Sequence, residues 1–117
     1  MKMKDIQNKA LYSFADKDVA GLHVHISSGN GKIGHIWNVS TVPGDALNAP
    51  SVTRDGKQVR ITDVPGTCGG VCKDCHNFCY AFDSIRQHHN ACAPSWSENT
   101  LLYRKDVDRF MKEIDDA

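Results

Sequence analysis

The sequence predicts a small single-domain α+β fold: N-terminal β-hairpins, a cysteine-rich cluster-binding loop, then two to three C-terminal helices. Three observations predict it. Short alternating or β-branched runs separated by turn residues fill the first half of the chain. After position 81 the apolar spacing changes to threes and fours. Between the two lies "GTCGGVCKDCHNFCYA", residues 66–81, with four closely spaced cysteines. That order places the cysteines where strands meet helices.

With 117 residues the chain is expected to form one domain, 1–117. Its core must be modest, so a bound metal would be a useful staple. It is 40% hydrophobic and 24% charged, within the globular range. Fourteen basic and fourteen acidic residues balance to zero, unlike the basic footprint of a nucleic-acid binder, so no nucleic-acid partner is expected. No apolar run approaches the roughly 18 residues of a membrane span. "MKMKDIQNKALYSFADKD" lacks the apolar stretch of a signal peptide. A cytoplasmic location follows as an expectation. In that reducing setting clustered thiols serve as metal ligands or catalytic groups more often than as disulfides.

Residues 3–19 read as a short helix or irregular arm within the first 20. "LHVHI", 22–26, alternates strictly, with Leu22, Val24 and Ile26 on one face and His23 and His25 on the other, as in a half-buried strand. "SSGNGK" supplies turn residues and "IGHIWNVST" a second apolar run, together a first hairpin. "VPGDALNAP" is loop. In "SVTRDGKQVRITDV" the pair Asp55-Gly56 suits a type I′ turn between β-branched flanks, a second hairpin. Pro65-Gly66 breaks the chain before the cysteines. Phe82, Ile85, His89 and Cys92 then share one helical face, and Pro94 is expected to end that helix. Ser95 and Glu98 fit a capping box for a last helical segment. Leu102, Val107, Phe110, Met111 and Ile114 give that segment its apolar stripe, with a break expected near Asp106.

Cys68, Cys72, Cys75 and Cys79 have the spacing C-x3-C-x2-C-x3-C. A structural zinc site usually joins two C-x2-4-C knuckles held a dozen or more residues apart, so that they approach the ion from opposite sides. Here only Lys73 and Asp74 separate the two pairs. An iron–sulfur cubane spreads its irons over several ångströms, and one loop can wrap it with thiolates at short intervals, as the ferredoxin run C-x2-C-x2-C-x3-C does. Gly66, Gly69 and Gly70 would let the backbone approach such a group and aim N–H groups at its sulfurs. The spacing therefore favours a [4Fe-4S] cluster on all four cysteines over Zn2+, and both over disulfides or free thiols. Five cysteines would leave one unmatched in a disulfide framework. Cys92, on the face of Phe82 and Ile85, reads as a small core residue, with a role as fourth ligand in place of Cys79 as the alternative.

Among the histidines, His76 lies inside the cysteine segment but reads first as an exposed loop residue. His23 and His25 share a face and could clamp a metal, although an alternating polar face explains them equally well. The adjacent His88 and His89 point in different directions on a helix, and His35 carries no signal of its own. Tyr80 and Trp96 read as packing residues. Lys73, Arg86 and Arg104 could offset cluster charge but read first as solvated surface.

"GTCGGVCKDCHNFCYAFDSIRQ", "APSWSENTLLYRKDVDRF" and "KIGHIWNVSTVPGD" together resemble proteins of bacteriophages and gut bacteria described as phage gene-product (number eighty-eight)-like. The resemblance covers about residues 32–112, and the cysteine block is its most specific part. That family looks like a distant relative of radical S-adenosylmethionine enzymes, whose C-x3-C-x2-C triplet matches Cys68, Cys72 and Cys75. The resemblance implies a cluster whose fourth iron is open to S-adenosylmethionine, and a bacterial or phage-infected host cytosol. Two departures weigh against a full radical enzyme. Family members continue into further strand–helix units, and Asp74 stands where an aromatic residue is usual. A substrate-enclosing barrel needs about 200 residues or more.

Three functions follow as expectations. The first is a closed four-thiolate cluster for electron transfer, redox sensing or structural stabilisation, with a redox protein as partner. The second is a radical enzyme with an open iron. The third is a zinc-stapled phage interaction module that docks on a host protein.

Overall fold

The computed structural model describes residues 10–13, 19–27, 37–45, 49–71 and 73–116. It is a small α+β domain in which a two-stranded antiparallel hairpin precedes the C-terminal helices. The hairpin pairs β1 (Ser51–Arg54) with β2 (Lys57–Arg60), matching Val52 to Val59 across the ladder. Asp55 and Gly56 make its two-residue turn with φ of 54° and 75°. Two successive positive values are what a type I′ turn demands, and its twist suits the strands it joins.

Further backbone bonds flank the two-stranded hairpin. The Ile61 amide donates to the Pro50 carbonyl at 2.8 Å. On the other side the Leu11 and Tyr12 amides donate to the Arg60 and Ile61 carbonyls at 2.9 and 2.8 Å, forming a parallel bridge from Tyr12 to Thr62. The expectation there is a helix or an irregular arm; among its described residues none is helical, and Tyr12 carries this isolated bridge. Arm residues 1–9 and 14–18 lie outside the described residues. Pairing wins here because Leu11 and Tyr12 find backbone partners, and Tyr12 packs on the Ile61, Ile85 and Ala93 cluster.

Residues 22–26 keep the expected alternation, with Leu22 buried and His23 and His25 exposed. They form no named strand, and their pairing to the second run is a single antiparallel bridge, Ser27 to Asn38. The expected turn and residues 28–36 lie outside the described residues. The partners of this segment are instead helix side chains, as described below.

The helices are α1 (Lys73–Phe78), α2 (Tyr80–Gln87), α3 (His89–Lys105) and α4 (Val107–Asp116). Two expectations about them are corrected. Pro94 does not end a helix; the break falls at His88, which caps both α2 and α3, and Pro94 sits in the second turn of α3. Lying past the first turn, Pro94 removes one i to i−4 hydrogen bond, to the Asn90 carbonyl, and the rest of α3 continues around it. Ser95 and Glu98 make no capping box either, because both lie inside α3. The Ser95 hydroxyl donates back to the Ala91 carbonyl at 3.4 Å, the usual outlet for a serine in mid-helix. The break at Asp106 is present, and its carboxylate accepts the Arg109 amide at 3.2 Å as the N-cap of α4.

Two buried clusters hold the layers together. Leu22, Val64 and Leu101 form one, and Ile61, Ile85 and Ala93 the other, with Val52, Cys92 and Trp96 packed against the second. Phe82 and Leu102 are also fully buried. Each large side chain buried in this way stabilises the fold by about 1.5–3 kcal/mol. In α4, Phe110 is buried and meets Tyr103 edge-to-face at 5.6 Å, while Val107 and Met111 are exposed. No helix among the described residues is long and apolar enough to cross a membrane.

Candidate metal centre

The cysteine segment is not the continuous loop that its glycines suggest. From Lys73 it winds into α1, Cys75 lies within that helix, and Cys79 is the N-cap of α2. The reason is local: Asp74 favours a first helical turn, and after Gly70 no glycine or proline interrupts the run to Cys79. The Cys79 amide donates to the Cys75 carbonyl at 2.9 Å, a helical i to i−4 bond. Residues four apart in such a turn are neighbours on one face, with Cβ atoms about 5–6 Å apart. The last C-x3-C interval therefore spans one helical turn, from Cys75 within α1 to Cys79, whose own backbone is already extended (φ −75°, ψ 122°). Cys72 lies outside the described residues.

Cys68 is placed by different means. It ends a short stretch fixed from both sides. The Thr67 amide donates to the Val42 carbonyl at 3.0 Å, and the Cys68 amide donates to the Gly44 carbonyl at 3.0 Å. From α3, the Arg104 guanidinium donates to the Pro65 carbonyl at 3.2 Å and also to that of Gly66. Gly66 packs so closely that an added Cβ would strike the carbonyls of Gly44 and Pro43. The Cys68 side chain is exposed, yet its sulfur accepts the Gly44 amide at 3.2 Å. Around Gly69 and Gly70 an added Cβ would meet nothing within 4 Å.

The flanks of the segment are apolar and open to solvent: Phe78 and Tyr80, on either side of Cys79, are 81% and 58% exposed. Trp96 is half-buried against the Ile61 cluster. Cys92 is half-buried against that same cluster, and burial pushes its thiol up from the ordinary range. A shift in that direction keeps Cys92 protonated, which suits a core residue better than a metal ligand.

The His23 and His25 rings face different carboxylates. The His23 ring meets the Glu113 carboxylate of α4 at 3.3 Å, and the His25 ring meets Glu98 of α3 at 2.5 Å. His88 is exposed and His89 half-buried, its ring 3.2 Å from the Arg86 carbonyl. Nothing is described for the side chains of Lys73 and His76, and His35 lies outside the described residues. Arg86 pairs with Asp83 at 3.2 Å and lies over the Phe82 ring.

Among the described residues no three His, Cys, Asp or Glu side chains converge closely enough to hold a metal ion. What fits a thiolate-bound group is local: a backbone N–H already directed at the Cys68 sulfur, two cysteines one helical turn apart, and open space beside Gly69 and Gly70. Sequence reasoning missed one contributor, Gly44, and read Arg104 first as solvated surface, whereas it holds the carbonyls of Pro65 and Gly66. The sequence "VPGD" signals a loop, but nothing in it shows that the loop pairs with a cysteine 24 positions later. No known protein family, curated protein or solved structure matches this chain.

Proposed function

We propose that the chain binds one [4Fe-4S] cluster through the thiolates of Cys68, Cys72, Cys75 and Cys79. The observation that carries the proposal is their spacing, C-x3-C-x2-C-x3-C within twelve residues. The single helical turn between Cys75 and Cys79 and the N–H bond to the Cys68 sulfur support it. Cys92 is left out because it packs in the core cluster on α3. Four protein thiolates would leave no iron open to substrate, so the cluster serves electron transfer, redox sensing or stabilisation of residues 66–79. The partner is then a redox protein of a reducing, cytosolic compartment, where such thiols stay unoxidised. The likeness of the cysteine block to phage gene-product (number eighty-eight)-like proteins belongs to the same proposal.

Anaerobic purification followed by iron, sulfide and zinc analysis tests it. The expected result is a brown protein with four irons and four sulfides per chain, lost when Cys79 is replaced by alanine and retained in Cys92→Ala. Colourless protein carrying zinc without iron overturns it in favour of a zinc-stapled module. Reductive cleavage of S-adenosylmethionine that survives Cys79→Ala overturns it in favour of a radical enzyme with an open iron.

A further inference from the structure

We infer that Gly44 is a positioning residue for Cys68, and that its amide tunes the first thiolate of the centre. The redox part of this inference rests on the cluster proposed above; the hydrogen bond itself does not.

The geometry is reciprocal. The Gly44 N–H donates to the Cys68 sulfur at 3.2 Å, while the Cys68 N–H donates to the Gly44 carbonyl at 3.0 Å. Gly44 reaches this arrangement with φ of 92°, in the left-handed region where a side chain is disfavoured. Its surroundings hold it there. One step before the buried Pro43, the Val42 amide is bonded to the Thr100 hydroxyl of α3 at 2.8 Å, and the Val42 carbonyl receives Thr67. Gly66 presses on the Gly44 carbonyl, and Arg104 fixes the carbonyls of Pro65 and Gly66. Gly44 is buried although Cys68 is exposed, so water competes poorly for its amide.

An N–H aimed at a thiolate withdraws electron density from the sulfur. It makes the sulfur less nucleophilic and favours the more negative, reduced state of an iron–sulfur group bound to it. Hydrogen bonds to the sulfurs are among the levers that set cluster potential. Here the lever comes from outside the cysteine motif, from a loop tied to α3 through Thr100.

The test replaces the Pro43–Gly44 amide by an ester, which removes the N–H and leaves every side chain in place. In metal-free protein, at a pH where the thiols are ionised, Cys68 is expected to react with iodoacetamide about fivefold faster, as loss of one ordinary hydrogen bond gives. Cys79 and Cys92 should react as before. After anaerobic reconstitution with iron and sulfide the midpoint potential is expected to fall. An unchanged Cys68 rate overturns the inference whatever the metal content. A faster rate with an unchanged potential overturns its redox part. If the wild-type chain takes up no iron, the cluster proposal and the redox part fail together, and the alkylation rates still decide the hydrogen bond. Should the ester protein not fold, hydrogen exchange in Cys68→Ala replaces it. The Gly44 amide should then exchange at least tenfold faster, by the loss of its acceptor, while the Val42 amide holds; an unchanged Gly44 rate overturns the inference.

Discussion

Residues 95–100 and residues 66–79 are both rich in polar or reactive side chains, and the fold treats them in opposite ways. On α3, Ser97, Asn99 and Thr100 are fully buried, and each is satisfied within the protein. Asn99 accepts the His25 amide at 2.7 Å and donates to the carbonyls of His25 and Ser40 at 3.1 and 2.9 Å. In doing so it pairs with an extended segment much as a neighbouring strand would. The Ser97 hydroxyl donates to that of Thr62 at 2.9 Å, and Thr100 receives Val42 and donates to the Trp96 carbonyl. The cysteine segment is fixed at Cys68 and then runs past open glycines to the exposed Phe78 and Tyr80. The first region is complete without a ligand. Among the described thiols of the second, Cys68 is exposed and Cys75 and Cys79 are half-buried, and a bound metal group would add cross-links between them.

The largest effect expected on this contrast comes from the shared core. Phe82 follows the cysteine segment closely but is fully buried. Phe82→Ala should lose about 3–5 kcal/mol of stability, measured by urea unfolding. The loss should be the same with and without iron if the core is independent of the centre. A loss confined to one form would break the contrast.

Next comes Asn99→Ala, which strands the amide and carbonyl of His25 and the carbonyl of Ser40 in a part-buried setting. About 3 kcal/mol is expected, with hydrogen exchange accelerated at 24–27 and 38–42. Iron content should be unaffected. If Asn99→Ala also loses iron, the link from Thr100 through Val42 to Thr67 couples the two regions and the contrast fails.

A smaller effect in stability, but one directed at the other region, is expected from Gly66→Ala. The new methyl group meets the carbonyls of Gly44 and Pro43, both backbone, so the strand of contacts that carries Cys68 must shift. Overpacking of this kind costs about 1–3 kcal/mol. Cluster retention after reconstitution should fall, whereas exchange at the Asn99-bound segment should not change. Retention equal to that of the wild type would show that the Gly44–Gly66 contact does not matter to the centre.

What could be read from the sequence divides along the same line. The Asp55-Gly56 hairpin, the break at Asp106 and the burial of Phe82 and Ile85 were legible because each depends on local backbone preference or on short periodicity. The face of Leu22, Val24 and Ile26 was legible as well, but its partner was not. A strand pattern predicts an acceptor row without saying that the row is the side chain of Asn99, 74 residues away. Pro94 is no guide to the helix end, because α3 carries it in its interior at the loss of one bond and the chain breaks at His88 instead. The cysteine spacing was legible as chemistry. The bond from Gly44 to Cys68 was not, since it depends on two loops meeting in three dimensions.

The smallest effect sharpens the contrast through pH. Glu113 accepts the Val24 amide at 3.0 Å, lies 3.3 Å from the His23 ring and receives Arg109 at 3.2 Å, so α4 holds residues 19–24 as α3 holds His25. The bond from Val24 is the main cause that holds the carboxyl below the usual glutamate range; partial burial works against it, and His23 and Arg109 add to it. Because the folded value lies below the unfolded one, the stabilisation is fully present above the unfolded carboxylate range. It is lost as pH falls through the folded value. Glu113→Gln keeps an oxygen to accept the Val24 amide but removes the charge. It should therefore cost less than about 1 kcal/mol near neutrality and flatten the stability profile between roughly pH 5 and 3. Unfolding midpoints taken across that interval check it, and an acid slope as steep as that of the wild type would assign the titration to other carboxylates. The Gly44–Cys68 bond contains no carboxylate, so hydrogen exchange of the Gly44 amide should be indifferent to this substitution at every pH in the window.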